Sequence, residues 1–436
     1  MSDTLVENLE LKSESGQPIT VEGLLGSGGQ GEVWQAMWKG APHALKWYYP
    51  HTATPEQLAQ LRKLAHKGAP DSRFLWPLDI IPNASNLAGF GYVMKLRAPQ
   101  FRGVIDLMAR RSEPTFRVLS TVGLQLAECY LHLHAKGQCY CDISFGNVFW
   151  NDQTGDVLIC DNDNVIENGE TAAVAGTIGF MAPEVTTGST PPSIKTDKHS
   201  LAVLLFYIFM LHHPLRGMKE EEIKALDSLA KRRIYGEQPI FIFDPNDDTN
   251  RPHPLHHKVV QNFWPIYPQF LQSIFTTAFT DGLKDPDARV TENQWRAAMV
   301  RLRDSIVYCG CGAENFYDQD QLKQHGTSKP CWACGNSVTL PFRIRLGRSV
   351  VMLNSDTKLF PHHIDSSREY DFSTPVAEVS RHPRDHQRWG LKNLGLLKWT
   401  MCDTSSNVRD VQPGQSAELA QGVKINFGQT ECEIRY

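Results

Sequence analysis

Apolar and polar positions alternate over residues 19–25, 31–38 and 43–49, the two-residue period of half-buried strands. A glycine cluster separates the first two runs, so they read as a hairpin. Over 55–67 the period lengthens. Leu58, Leu61, Leu64 and Ala65 fall at helical spacing, and Pro55 suits a first helical turn. Strand-like runs return at 75–81 and 89–96. From Ile105 onward helices dominate, with long segments predicted at 115–135, 197–211 and 268–280. The longest apolar stretch, Leu201 to Leu211, has 11 residues, and a membrane span needs about 20. A buried helix is therefore expected there. A strand-rich part followed by a larger helical part predicts an α+β, two-lobed unit ending near Arg303. Residues 304–340 carry four cysteines in two pairs. Residues 341–436 alternate again, punctuated by Pro413-Gly414 and Gly422, the pattern of a small β domain. Residues 1–17 are polar and acidic, a leader or first edge strand.

The chain has 436 residues, enough for about three domains. Its 44 Lys and Arg against 48 Asp and Glu give a net charge of −4, which argues against a nucleic-acid partner held by bulk charge. With 41 % hydrophobic and 21 % charged residues the chain reads as folded throughout. Ten cysteines are too few for a disulfide scaffold of this length. The first residues lack a basic start followed by an apolar core. A reducing, cytoplasmic setting without membrane contact is the expectation.

Candidate chemistry begins in the glycine hairpin. Gly26, Gly28, Gly31 and Val33 fit G-x-G-x-x-G-x-V between two strands, where a backbone free of side chains can approach phosphates. Ala44-Leu45-Lys46 closes the next strand, and a lysine there can reach bound phosphates. Asp142 and Asn147 stand at D-x-x-x-x-N spacing after a long helix. Such a carboxylate can accept a proton from an attacking hydroxyl, and such an amide oxygen can hold a divalent ion. Asp161 follows the apolar run 157–160, where an aspartate can bind Mg²⁺. Each piece alone is an ordinary turn, cap or edge residue; their order and separation carry the argument.

Residues 18–303 resemble a eukaryotic-type protein kinase, with an N-lobe at 18–96 and a C-lobe at 97–303. The resemblance also rests on Ala182-Pro183-Glu184, Asp197 and Arg289. It implies that Gly26, Ser27, Gly28, Gly31, Val33, Ala44, Lys46, Met94, Lys95 and Leu96 hold ATP, with Met94 as gatekeeper and Lys95 to Arg97 as hinge. It implies Asp142 and Lys46 as catalytic groups and Asn147 and Asp161 as Mg²⁺ ligands. Asp197 would brace the catalytic loop, Arg289 would pair with Glu184, and Thr171 and Thr177 would lie in the phosphoacceptor or substrate loop.

Departures from the family matter as much. Cys141 stands where many kinases carry an arginine that answers a phosphorylated loop. Ser144 stands where a lysine usually covers the γ-phosphate, so one cation is missing from the transition state. The helical glutamate that pairs with Lys46 is expected at Glu56, although register points to Gln57. Asp161-Asn162-Asp163 replaces Asp-Phe-Gly, which removes the phenylalanine switch. Two readings compete: an active Ser/Thr kinase, and a nucleotide-binding pseudokinase scaffold. Lys46, Asp142, Asn147 and Asp161 are all present, which favours the enzyme. Gly146 and Thr177 disfavour tyrosine as acceptor.

Cys309, Cys311, Cys331 and Cys334 form CxC and CxxC pairs, each able to place two thiolates on one turn and together to close a structural Zn²⁺ site. The β domain loosely resembles a forkhead-associated sandwich. Phosphothreonine reading by Arg348, Ser380 and Arg381 would follow, with an adaptor role as one alternative; a sandwich that only docks the kinase or a partner is preferred. Kinase, four-cysteine zinc-ribbon-like module (304–340) and β-sandwich (341–436) in this order resemble bacterial kinases of tellurium-resistance-associated phosphorylation triads. That resemblance implies a VWA-domain protein substrate and an opposing protein phosphatase.

Overall fold

A computed structural model describes residues 5–82, 87–172, 174–347 and 349–436. The chain forms two compact units. The first comprises residues 1–114, 118–264 and 273–297; the second comprises 115–117, 265–272 and 298–436.

The first unit opens with an antiparallel six-stranded sheet: β1 (Glu10–Lys12), β2 (Pro18–Ser27), β3 (Gly31–Trp38), β4 (Ala41–Tyr48), β5 (Asp79–Ile81) and β6 (Gly91–Lys95), in the order β1-β2-β3-β4-β6-β5. The two-residue period sorts β4 onto two faces. Leu45 and Trp47 pack with Ile19, Val21, Ala36 and Val93. Ala44 and Tyr48 pack with Leu61, Ile80, Tyr92 and Met94. Lys46 shares the parity of Ala44 and Tyr48, which faces α1 (Pro55–Lys67). Thr54 caps α1 by accepting from the Gln57 N–H, and Gly68 ends it at φ 71°. The run 75–78, read as strand, is buried at Leu75 and Trp76 but lies outside the strands; the indole Nε1 donates to Leu64 O instead.

Helices follow at Phe116–Ala135 and Ile194–Met210. The second is enclosed on nearly every face, as an all-round apolar helix requires, and Ser193 and Thr196 form its capping box. Among the described residues no helix is long and apolar enough to cross a membrane.

In the second unit, the hairpin Ile306–Tyr308/Glu314–Phe316 carries the CxC turn, and the CxxC turn follows the helix Gln319–His325. Two antiparallel sheets, of six and four strands, enclose one apolar core that includes Ile344, Leu359, Leu391, Ala417, Ile425 and Ile434. The cysteine module and the sandwich are not separate bodies. Val307, Cys309 and Cys331 share a core with Val338 and Met352, and the buried Asn354 amide donates to Ile306 O at 2.8 Å. The unit also reaches back to Ala298 and takes in 115–117 and 265–272. The reason is an aromatic cluster in which Phe116 meets Phe316 at 4.9 Å and Tyr267 at 5.5 Å.

Candidate active site

A cleft of about 580 Å³ opens in the first unit, lined by the glycine hairpin, β4, the end of β6 and the loops carrying Asp142 and Asp161. Every residue assigned to ATP from the sequence lines this one cleft. Val33, Ala44, Leu75, Met94 and Phe149 make its walls apolar, suited to a flat aromatic base, and Lys95 to Arg97 edge it. The glycines differ in purpose. A Cβ on Gly26 or Gly28 would meet nothing within 4 Å, which leaves the hairpin backbone open to the cleft. A Cβ on Gly31 would lie 2.0 Å from Trp47 O, so strand pairing itself requires a glycine at this position, which also lines the cleft.

The loop that carries Asp142 hangs from the buried helix Ile194–Met210. Asp197 accepts from the backbone N–H of Tyr140 at 2.6 Å and of Cys141 at 3.1 Å. Cys141 adopts φ 72°, a left-handed conformation costly for a side-chain-bearing residue, and Asp197 holds it there. His134 bridges Asp197 (3.1 Å) and Glu292 (2.5 Å). Burial alone would push the imidazole pKa down, but the bonds and charges of Asp197 and Glu292 outweigh it and raise it to about 9. Its contribution to stability is therefore fully present below about 6.5, its ordinary value, and is lost as pH rises through about 9. The effect is on the order of 3 kcal/mol, so urea midpoints should fall between pH 6.5 and 9.5, and less so in His134→Gln.

Asp142 Oδ1 accepts from the Thr177 hydroxyl at 2.6 Å, and Oδ2 accepts from Asn147 Nδ2 at 3.2 Å. Burial raises the Asp142 pKa against the lowering effect of those bonds. Asn147 Nδ2 also donates to Asp142 O at 2.9 Å, which commits its nitrogen and leaves its amide oxygen for a cation. Thr171 and Thr177 are both exposed, and of the two only Thr177 meets Asp142. Ser144 is buried ahead of the short helix Phe145–Asn147. The basic residues lining the cleft, among those described, are Lys46, Lys95 and Arg97. Arg289 makes a bidentate pair with Glu184 at 2.7 and 2.8 Å, as expected for a structural clamp, and burial leaves Arg289 little water to compete.

The expected Glu56–Lys46 pair does not form. Glu56 lies exposed in the first turn of α1. The Lys46 amine instead meets Asp163 Oδ2 at 2.8 Å and Asp161 Oδ1 at 3.3 Å. Burial would lower the lysine pKa, but the Asp163 charge and then that of Asp161 raise it above its usual value. Sequence reasoning missed Asp163; the available signal was an acid at a position where the family carries glycine.

In the second unit the Cys309, Cys311, Cys331 and Cys334 sulfurs all lie within 4.8 Å of one another. Cys309 and Cys334 are 3.6 Å apart, and Cys311 and Cys331 are 3.8 Å apart. A tetrahedron with Zn–S bonds of about 2.3 Å has edges of about 3.8 Å, so the four sulfurs fit this ion. Asn315 Nδ2 donates to Cys331 Sγ at 3.4 Å, an outer support for a thiolate. Of the phosphothreonine candidates, Arg348 lies outside the described residues. Ser380 and Arg381 end the strand Ala377–Arg381, and the Arg381 guanidinium lies 4.7 Å from the Trp389 ring centre.

Residues 93–276 match the family model of the protein kinase domain. The chain is 25 % identical over 226 residues to a probable serine/threonine-protein kinase, gdt4, of Dictyostelium discoideum, covering 49 % of this chain and 13 % of that protein. It is 32 % identical over 95 residues to protein kinase C delta type of Mus musculus, covering 21 % of this chain and 14 % of that protein. Residues 93–276 are thus similar to a protein kinase domain, and the chain spans only about an eighth of the length of these relatives.

Proposed function

We propose that this protein is an ATP-dependent serine/threonine protein kinase. The observation that carries the reading is the Asp142 carboxylate, which accepts a hydrogen bond from a threonine hydroxyl (Thr177) at 2.6 Å in a cleft shared with Lys46 and Asp161. An acceptor hydroxyl in the place of the Thr177 hydroxyl would give its proton to Asp142 as its oxygen bonds to the γ-phosphorus and the bond to the β-phosphate oxygen breaks. Lys46 neutralises phosphate charge, and the bare hairpin at Gly26 and Gly28 covers it. Asp161 and Asn147 supply the hard oxygen donors that would hold Mg²⁺, which when bound neutralises the phosphate oxygens. The rest is positioning.

The proposed substrate is a VWA-domain protein, with a protein phosphatase in opposition, in bacterial cytoplasmic signalling. This rests on the domain order alone. A Zn²⁺ ion held by the four cysteines would be structural, since four thiolates leave no open position. The sandwich is proposed to dock the kinase domain or a partner; commitment of Arg381 to Trp389 favours this over phosphothreonine reading. One observation favours an inert scaffold, the absence of a cation at Ser144. Transfer of labelled γ-phosphate to a protein acceptor, followed by phosphoamino-acid analysis of the product, separates the two.

A further inference from the structure

We propose that Asp163 is the positioning residue for Lys46, in place of a carboxylate on α1; the proposal rests on the kinase reading above. Two acids meet the lysine, and they are not equivalent. Asp161 is 45 % exposed at the cleft and is the group assigned to the cation. The Asp163 side chain is fully buried. One of its oxygens, Oδ2, takes both the Lys46 amine and the Tyr48 hydroxyl. The other, Oδ1, is buried without a partner among the described residues. A carboxylate buried this deeply is strongly unfavourable unless a cation faces it, and Lys46 is that cation. The pair therefore fixes the amine.

The turn that presents Asp163 is itself pinned. Asn162 is fully buried, and its Nδ2 donates to Leu75 O at 2.9 Å and Ile159 O at 3.0 Å. Asp161 turns the chain through a left-handed φ of 50°. Asn162 thus does with two hydrogen bonds what an apolar side chain would do by packing, and the next residue is aimed at β4. Towards Lys46 and Asp163 α1 presents neutral amides, Gln57 reaching the Tyr48 hydroxyl and Gln60 donating to Val165 O, while its charged Lys63 and Lys67 pair with Glu170 and Glu167. Lys46 is set by residues 161–163 and is independent of any carboxylate on α1. A displacement of this helix would break those amide hydrogen bonds and the ion pairs of Arg62, Lys63 and Lys67, none of which includes Lys46.

The test uses the full chain with Asp163→Asn, with Glu56→Ala/Gln57→Ala, and with Asp163→Asn/Gln57→Glu. Steady-state transfer and Mg·ATP affinity are read for each. Asp163→Asn should lower kcat/KM for ATP by at least about tenfold while the KM for the protein acceptor stays within about twofold. The helix double variant should keep the wild-type values. Gln57→Glu brings a carboxylate up to the Tyr48 hydroxyl and should recover most of the loss, which a merely structural lesion would not allow. Undiminished ATP use in Asp163→Asn, or a tenfold loss in the helix variant, overturns the proposal. If Asp163→Asn does not fold, a tenfold loss in the helix variant still overturns the proposal, and wild-type values there support the independence of Lys46 from α1. If the wild type transfers nothing, the kinase reading fails, and Mg·ATP affinity then decides the Asp163 proposal by the same comparison.

Discussion

Asp142→Asn is expected to abolish phosphoryl transfer and leave Mg·ATP binding nearly unchanged. The substitution keeps the shape of the side chain and its contact with Thr177; it removes the capacity to take a proton and the bond from Asn147 Nδ2 to Oδ2, while Asn147 still donates to the backbone oxygen of residue 142. Loss of a positioned general base costs about 10²–10⁴-fold in turnover. Burial already biases Asp142 toward accepting a proton, so the upper part of that range is expected. The residues assigned to ATP line other parts of the same cleft, on the glycine hairpin, Lys46 and the residues ending β6. Isothermal titration with Mg·ATP, run beside single-turnover transfer, checks both halves. A parallel loss of binding and transfer would show that Asp142 acts on nucleotide affinity instead.

The second large effect is expected at the four cysteines. Cys331→Ser should leave the cysteine module unfolded and, because Val307, Cys309 and Cys331 share a core with Met352, should destabilise the sandwich with it. Metal binding at a site of this kind is worth on the order of 10 kcal/mol, comparable to the whole net stability of a domain. The purified protein should contain one zinc per chain by elemental analysis. A strong chelator should remove that zinc and lower the thermal midpoint by more than about 10 °C, with recovery on adding Zn²⁺ back. A metal-free protein whose midpoint ignores chelator would contradict the assignment.

What could be read from the chain in advance follows a physical rule. Strands β3 and β4 and helix α1 were legible because local period decides them. The spacing of Asp142, Asn147 and Asp161 anticipates their grouping, Asp142 and Asp161 at one cleft and Asn147 bonded to Asp142; the roles given to them are the proposal above. Glu56 was misread because the expected carboxylate on α1 is a family habit, whereas here the charge comes from Asp163, far along the chain. No local pattern tells which of two distant acids a buried lysine will meet. The second demand on Gly31, that no side chain meet the Trp47 carbonyl, is not legible locally because that carbonyl belongs to another strand. The unit boundary at Ala298 was equally out of reach, because it depends on Phe116, Tyr267 and Phe316 meeting across long stretches of sequence.

The central claim is transfer of the γ-phosphate, and one assay tests it most directly. Wild type and Asp161→Ala are incubated with labelled ATP and Mg²⁺, alone, with a generic acceptor and with a VWA-domain protein. Label in phosphoserine or phosphothreonine with the wild type, and its loss in Asp161→Ala, is the predicted result. It would also show that Ser144 does not need to be a lysine. Tight Mg·ATP binding with no label in any acceptor would contradict the account and leave a nucleotide-binding scaffold.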